Sequence, residues 1–331
     1  MNGSSRNLDI LRALAVFSVL FDHTLLALGY NHFGSVNFIW IGRAGVMFFF
    51  VHTSLVLMYS LERSPDARSF YLRRAFRIYP LCMVAVTFAY FVFSPSAPLS
   101  RRDFLLNLAL FQNVFGGKNA FGELWSLPLE IQMYLVLPLL FWIARNHAKA
   151  LVAVWVVAMA VMFWWSMFIF VPCFLAGIIS YALSRRVPRI LPHWAWPFTV
   201  IAVMLIFASF PGWKRCWWPC LLLGVLIPLF AEAKKSLFSA AATQTAKYSY
   251  GIYLSHPFVI SFAIVHLESR PVWLRIAEFV VLNFALPVVA FHLIENPGIA
   301  AGKRLAAQLF ACRPEPLLRT RTAEVLVDSN L

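Results

Sequence analysis

The sequence predicts an all-α, polytopic integral membrane bundle of about ten transmembrane helices, with both termini cytoplasmic. Three observations carry this. Apolar residues make up 61% of the 331 and charged residues 13%, with a mean hydropathy of +0.74; a soluble domain is nearer one-quarter charged. Apolar runs recur along the chain at about the 20 residues that a hydrocarbon core of roughly 30 Å requires. The basic residues fall in short loops between those runs, most of them in alternate loops, which is the pattern that sets topology. The formal charge of +14 is therefore explained without nucleic acid as a partner.

The spans are read at 8–30, 37–61, 75–94, 124–145, 149–165, 167–184, 194–210, 216–232, 247–266 and 272–294. The run DFLLNLALFQNVF, 103–115, is too short to cross and is expected to be an interfacial or re-entrant helix. Counting it as a span would invert every loop that follows and put basic clusters such as RNHAK or SRRVPR outside. Residues 1–7 are too short and polar for a cleavable signal, so the first span is the expected insertion signal. No internal repeat or soluble domain interrupts the chain. A membrane domain over 1–297 is expected, followed by a basic tail over 298–331, partly disordered.

The first span, LDILRALAVFSVLFDHTLLALGY, carries Arg12 and His23. An ionisable group at bilayer depth costs about 2.5–3.5 kcal/mol on insertion scales, so it needs a partner or a wet cavity. Eleven residues at about 100° each return to nearly the same helix face, and a rise of about 1.5 Å per residue sets the two roughly 16 Å apart. One reading is that Arg12 snorkels to the inner interface and His23 bonds a neighbouring helix. The other is functional, with Asp22 beside a histidine able to take a proton from a hydroxyl.

In the second span, Gly42 and Gly45 permit close helix approach around Arg43. His52, nine residues on from Arg43, faces almost the opposite side and reads as a packing or polar-contact histidine. At the start of the third span, Arg73, Arg74 and Arg77 share one face. They either hold topology at the inner surface or dock phosphates, which guanidinium forks bind bidentately.

Glu130 lies about six residues into the fourth span, one turn from Trp125 and Ser126 and one turn before Tyr134. It is expected to neutralise Arg12 or Arg43, or to orient His23 as a carboxylate orients the histidine of a hydrolase. In the ninth span Tyr250, Tyr253 and His256 cluster on one side, and Pro257 is a candidate kink. Glu295 closes the last span, where it is expected at the interface. Cys82, Cys173, Cys216, Cys220 and Cys312 lie mostly in or beside apolar segments. Cys216 and Cys220 form CWWPC with no second pair or histidine cluster to complete a metal site. Buried thiols are the main reading, a disulfide or metal the lesser one, and no metal site is assigned.

Taken in order, these residues resemble the acyltransferase-3 family of integral membrane O-acyltransferases, which includes O-antigen acetylases, nodulation-factor acetylases and oligoglucan succinylases. Arg12 and His23 match its first span. Gly42, Gly45, Val46 and Phe48 to Phe50 match its second. Arg73, Arg74, Arg77, Ile78 and Pro80 match its inner loop, and Trp125, Ser126, Leu127 and Glu130 match a Trp-Ser-Leu-x-x-Glu block. Tyr250, Tyr253, Leu254, His256, Glu295 and Pro297 match its closing elements. Each element alone is weak; five in order over about 8–300 are specific. Thr53 and Ser54 depart from the family's usual Ser-Gly, which puts the local packing or acceptor pocket in question. No esterase-like domain follows the last span in this sequence, so the membrane domain is expected to work alone or with a separate partner.

The resemblance implies acyl transfer, usually acetyl from cytoplasmic acetyl-CoA, to a carbohydrate hydroxyl of a surface or exported glycan or glycolipid, in a bacterial inner membrane. On that basis Arg73, Arg74 and Arg77 are expected to hold the coenzyme A phosphates, and Arg12 to lie along the donor channel. His23, helped by Asp22 or Glu130, is expected to act as general base or to carry the acyl group. Arg43, Trp125, Tyr134, Tyr253 and His256 are the expected substrate-binding residues. The competing reading is a transporter or flippase for a glycolipid or small anion, with Arg12 and Arg43 as substrate charges. A non-catalytic membrane scaffold ranks last, because it leaves the buried ionisable residues without a purpose.

Overall fold

The computed structural model describes residues 5–93, 99–266 and 269–310. Cys312 and the tail arginines Arg313, Arg319 and Arg321 lie outside the described residues. Helices α1 (Arg6–Ala27), α2 (Phe38–Arg63), α3 (Ala67–Phe88), α5 (Ser126–Asn146), α7 (Val171–Ser184), α10 (Leu237–Ile260) and α11 (Val272–Ala290) account for the long expected spans. The shorter ones are α4 (Arg101–Ala109), α6 (Ala150–Trp164), α8 (Trp196–Ser209), α9 (Trp217–Leu226) and α12 (Asn296–Phe310). Wide π-type turns extend α3, α10 and α11 through Ala89–Phe93, Ser261–His266 and Phe291–Glu295.

Seven of the described helical stretches are long and apolar enough to cross a membrane, which makes the protein a polytopic helical membrane protein. The three remaining expected spans, 149–165, 194–210 and 216–232, are helical but shorter. Proline explains part of this. Pro197 and Pro219 sit in the first turns of α8 and α9, and Pro228 follows the end of α9, where a missing N–H is tolerated or stops the helix.

Helix α2 is at the centre: 72% of its apolar window is buried, against 17% for the last span, which faces outward. Helix α1 packs between α2 and α10. The α1–α2 contact is close because a Cβ at Gly42 would overlap the Asp22 side chain, and one at Gly45 would overlap Ser18 and the Ala15 carbonyl. The two helices are joined by a small hairpin, β1 (His32–Phe33) with β2 (Val36–Asn37). Asn37 then caps α2 by accepting from the Ile39 amide at 3.1 Å.

The segment at 103–115 forms α4, nine residues that cannot cross, followed by a connector to α5. Asn107, fully buried, staples that connector. Its amide donates to the carbonyls of Asp103 and Lys118, both at 2.7 Å, and its carbonyl accepts from the Ala120 amide at 2.9 Å. The expected boundary at 297 falls inside α12, which packs along α3 through Gly298 and Gly302 against Phe76 and Pro80.

Candidate active site

Two abutting cavities run into the bundle from the end that holds the α1 N-terminus. The outer one, about 470 Å³, is lined by Asp9, Arg12, Arg63, Arg77, Thr243 and Lys247, among others. The second lies deeper, holds about 100 Å³, and is lined by Arg12, Arg74, Glu130, Tyr134, Ser126 and Tyr253, among others. Arg12, His52, Val56 and Arg77 line both. The mouth is therefore strongly cationic, and Arg12 stands where the two spaces meet. Its Nε donates to Ser249 Oγ at 2.5 Å, which fixes the guanidinium across the α1–α10 contact.

Glu130 belongs to the deep cavity. It accepts hydrogen bonds from the hydroxyls of Tyr134 and Thr53 and faces the charges of Arg12 and Arg74. It is the counter-charge of that cavity and does not orient His23. His52, read as a packing histidine, instead lines both cavities and is 4% exposed. Arg77 pairs with Glu295 Oε2 at 3.6 Å. Glu295, which closes the wide turn after α11, is 1% exposed, so it faces Arg77 inside the bundle rather than solvent.

At the upper end of the deep cavity Tyr253 makes two bonds. Its hydroxyl donates to the Glu123 carbonyl at 2.7 Å and accepts from Ser126 Oγ at 2.7 Å. Glu123, which the sequence reading did not single out, then presents its carboxylate to His23. Glu123 Oε1 lies 3.3 Å from His23 Nε2. His23 Nδ1 donates to the Val19 carbonyl at 2.9 Å, and a carbonyl can only accept. Nδ1 therefore carries a proton, and Nε2 is the ring nitrogen that faces Glu123.

Asp22 stands beside His23, as expected from its place in the chain. Its Oδ2 is 4.0 Å from His23 Nδ1, but that nitrogen is committed to Val19, and the carboxylate is buried against Gly42. His256 joins the cluster, its ring 5.1 Å from that of His23. Its Nδ1 donates to the Ile252 carbonyl at 3.2 Å.

The remaining expected residues are spread out. Arg43 sits between the rings of Trp40 and Trp213, 4.7 and 4.3 Å from their centroids. Trp125 packs on Phe170 at 5.1 Å and Phe50 at 6.5 Å and lines neither cavity. Arg73 also lines neither; it bonds Ser69 and Ser64. The mouth instead uses Arg63 and Lys247, which look in the sequence like ordinary loop charges. The described cysteines, Cys82, Cys173, Cys216 and Cys220, are free and buried.

The profile of the acyltransferase domain family matches residues 5–292. Nodulation protein 10 of Rhizobium leguminosarum bv. viciae is 26% identical, over 93% of this chain and 96% of its own length. The peptidoglycan O-acetyltransferase OatA of Listeria monocytogenes is also 26% identical, over 88% of this chain and 55% of its own length. This chain thus spans only about half of that second relative. No solved structure matches the chain.

Proposed function

The chain belongs to the acyltransferase family matched over residues 5–292, and from that premise we propose that it moves an acetyl group from acetyl-CoA to a hydroxyl of a glycan. The protein is an integral membrane O-acyltransferase; the donor, the acceptor class and the residue roles are the proposal. Family membership also disfavours the transporter reading.

The observation that carries the reading is the run of the two cavities from the cationic mouth past Arg12 to Tyr253, whose hydroxyl bonds the backbone of Glu123, the residue that faces His23; His23 itself lines neither cavity. Arg63, Arg77 and Lys247 line the outer cavity and suit the phosphates of coenzyme A. This mouth is taken as the cytoplasmic side, where the donor is made. The pantetheine arm would pass Arg12 and enter the deep cavity, with the thioester carried toward Tyr253. Arg12 and His23 are about 16 Å apart along α1, a length that an extended arm can cover. At the far end His23 Nε2 takes the proton of the acceptor hydroxyl while its oxygen attacks the thioester carbonyl. The imidazolium so formed stands beside the Glu123 carboxylate, which stabilises it. The C–S bond then breaks, and the thiolate recovers the proton as coenzyme A leaves. Transfer through a transient acyl-His23 uses the same atoms and differs in showing ping-pong kinetics.

The test is a thiol-release assay on membranes with acetyl-CoA and a glycan panel, comparing wild type with His23→Ala. Acceptor-dependent release should be lost in the variant. Equal product from His23→Ala at equal expression would sink the assignment.

A further inference from the structure

We propose that His23, Glu123 and His256 also form a binding site for a divalent transition-metal ion of the zinc type, and that its occupation blocks acyl transfer. The binding half is independent of the function proposed above; the inhibition half rests on it.

Three features point to a cation. One ligand atom from each of the three residues lies within 4.8 Å of the other two. Both histidines spend Nδ1–H on the carbonyl four residues earlier, Val19 and Ile252, so in each the nitrogen left for an ion is Nε2. That is how metal-binding imidazoles are held, with the far nitrogen donating to a carbonyl that fixes the ring. His256 is 1% exposed, and its Nε2 has no hydrogen-bond partner. A buried lone pair left without a partner is costly. A proton on His23 would satisfy its contact with Glu123 but would leave His256 as it is; an ion shared by the three satisfies all of them.

The dimensions fit. Ligands about 2.0–2.2 Å from a tetrahedral zinc stand roughly 3.3–3.5 Å from one another. The His23–Glu123 edge is already 3.3 Å. Bringing His256 in requires the two wider edges, at most 4.8 Å, to close by up to roughly 1.5 Å, a shift shared by His23 and Glu123, whose side chains are 32% and 13% exposed. Two imidazoles with one carboxylate suit zinc rather than magnesium or calcium, which prefer all-oxygen sets. Asp22, 4.0 Å from His23, adds negative charge nearby. The partial exposure of His23 gives an ion a way in from the face carrying the α1–α2 hairpin. An ion on Nε2 takes the lone pair that proton abstraction needs, so binding and transfer exclude each other.

The experiment is a zinc titration of the purified full-length chain in detergent, carrying an affinity tag without histidine. It reads zinc uptake against a chelating indicator and the zinc-induced rise in Tm. Wild type should take up about one ion per chain. His256→Gln and Glu123→Gln should each bind at least about tenfold more weakly, while His193→Gln, a change at a distant histidine, should bind as wild type. Glu123 lies at the mouth of α5 rather than in a helix core, so its variant keeps the test open if His256→Gln fails to fold. Zinc should also inhibit thiol release, and a chelator should restore it. Wild type without tight uptake, or both site variants binding as wild type, overturns the site whether or not the protein is a transferase. Uptake without inhibition overturns the second half alone.

Discussion

Glu123 Oε1 stands 3.3 Å from His23 Nε2, held there by Tyr253, whose hydroxyl donates to the Glu123 backbone carbonyl at 2.7 Å. The same tyrosine lines the deep cavity. One side chain therefore links the deep cavity to the carboxylate that faces the histidine. The link joins α10, the start of α5 and the outer end of α1, and it makes the alignment of His23 depend on three parts of the chain.

The first prediction concerns that pair. Removing the base in His23→Ala should lower acyl transfer by about 10²–10⁴-fold. Glu123→Gln keeps the shape but removes the charge that stabilises the imidazolium. A charge-assisted hydrogen bond worth about 1.5–3 kcal/mol corresponds to a loss of roughly tenfold to a hundredfold. Tyr253→Phe leaves the carboxylate in place but frees its backbone, and should fall between wild type and Glu123→Gln. Rates of product formation at saturating donor check the order. Glu123→Gln at wild-type rate would remove Glu123 from the mechanism.

The second prediction separates the mouth from the chemistry. Arg63 and Lys247 line the outer cavity far from His23, so Arg63→Gln and Lys247→Gln should raise the KM for acetyl-CoA several-fold with kcat nearly unchanged, the mark of lost ground-state binding. Added salt should raise the wild-type KM and blunt the difference, because charges at an open mouth are screened. Arg73→Gln, which touches neither cavity, should change KM little. Steady-state kinetics at two ionic strengths decide it; a large KM effect from Arg73→Gln alone would return the phosphate site to the α3 arginines.

The third prediction is about stability. Glu295 is fully enclosed at its side chain while Arg77, 3.6 Å away, is 23% exposed toward the cavity. The two ends of the pair are therefore unequal. Arg77→Met strands a buried carboxylate and should cost about 3–5 kcal/mol. Glu295→Gln leaves a guanidinium that can still reach the wet cavity, and should cost less. Thermal unfolding in detergent gives the ranking, and the reverse order would mean that Glu295 is neutral in the folded protein.

Much of this architecture is visible in the residues themselves. The apolar runs mark the helices because a bilayer leaves no other way to satisfy the backbone, and the Arg12–His23 spacing sets the two residues at different depths because helix rise is constant. Gly42 and Gly45 announce the α1–α2 contact through their missing side chains. Glu123 was not visible. It precedes α5 in FGELW, reads as a polar loop residue, and acquires its partner only when the α4 connector folds back and Tyr253 captures its carbonyl. Arg63 and Lys247 were hidden for another reason: a topology-setting cation and one that lines a cavity look alike in sequence, and only the fold distinguishes them. The burial of Glu295 comes from the packing of the turn after α11 against α3, where Arg77 meets it, which no local residue pattern signals.

The last prediction follows from that fold-back. The connector 110–121 has little helix of its own, and Asn107 supplies two of the bonds that shape it, to the Lys118 carbonyl and the Ala120 amide. Asp103 supplies more: its Oδ1 accepts from the Lys118 amide at 3.2 Å and its Oδ2 from Ser100 Oγ at 2.9 Å. The Ser100 hydroxyl, helped by that amide, holds the Asp103 carboxyl below the usual carboxylate range. A lowered value means this contribution is present above the ordinary pKa of about 4 and is lost as pH falls through the lowered one. The staple is thus intact across the neutral range, and mutation is the way to open it. Asn107→Ala leaves the Ala120 amide and the Lys118 carbonyl without partners at a cost of about 1–3 kcal/mol. Ala120 lies three residues before Glu123, so the loosening should reach the carboxylate but not the cationic mouth. The variant should show faster amide exchange over 116–121 and a kcat lowered by roughly tenfold, with the KM for acetyl-CoA unchanged. Faster exchange with an undiminished kcat would show that Tyr253 alone suffices to hold Glu123 against His23.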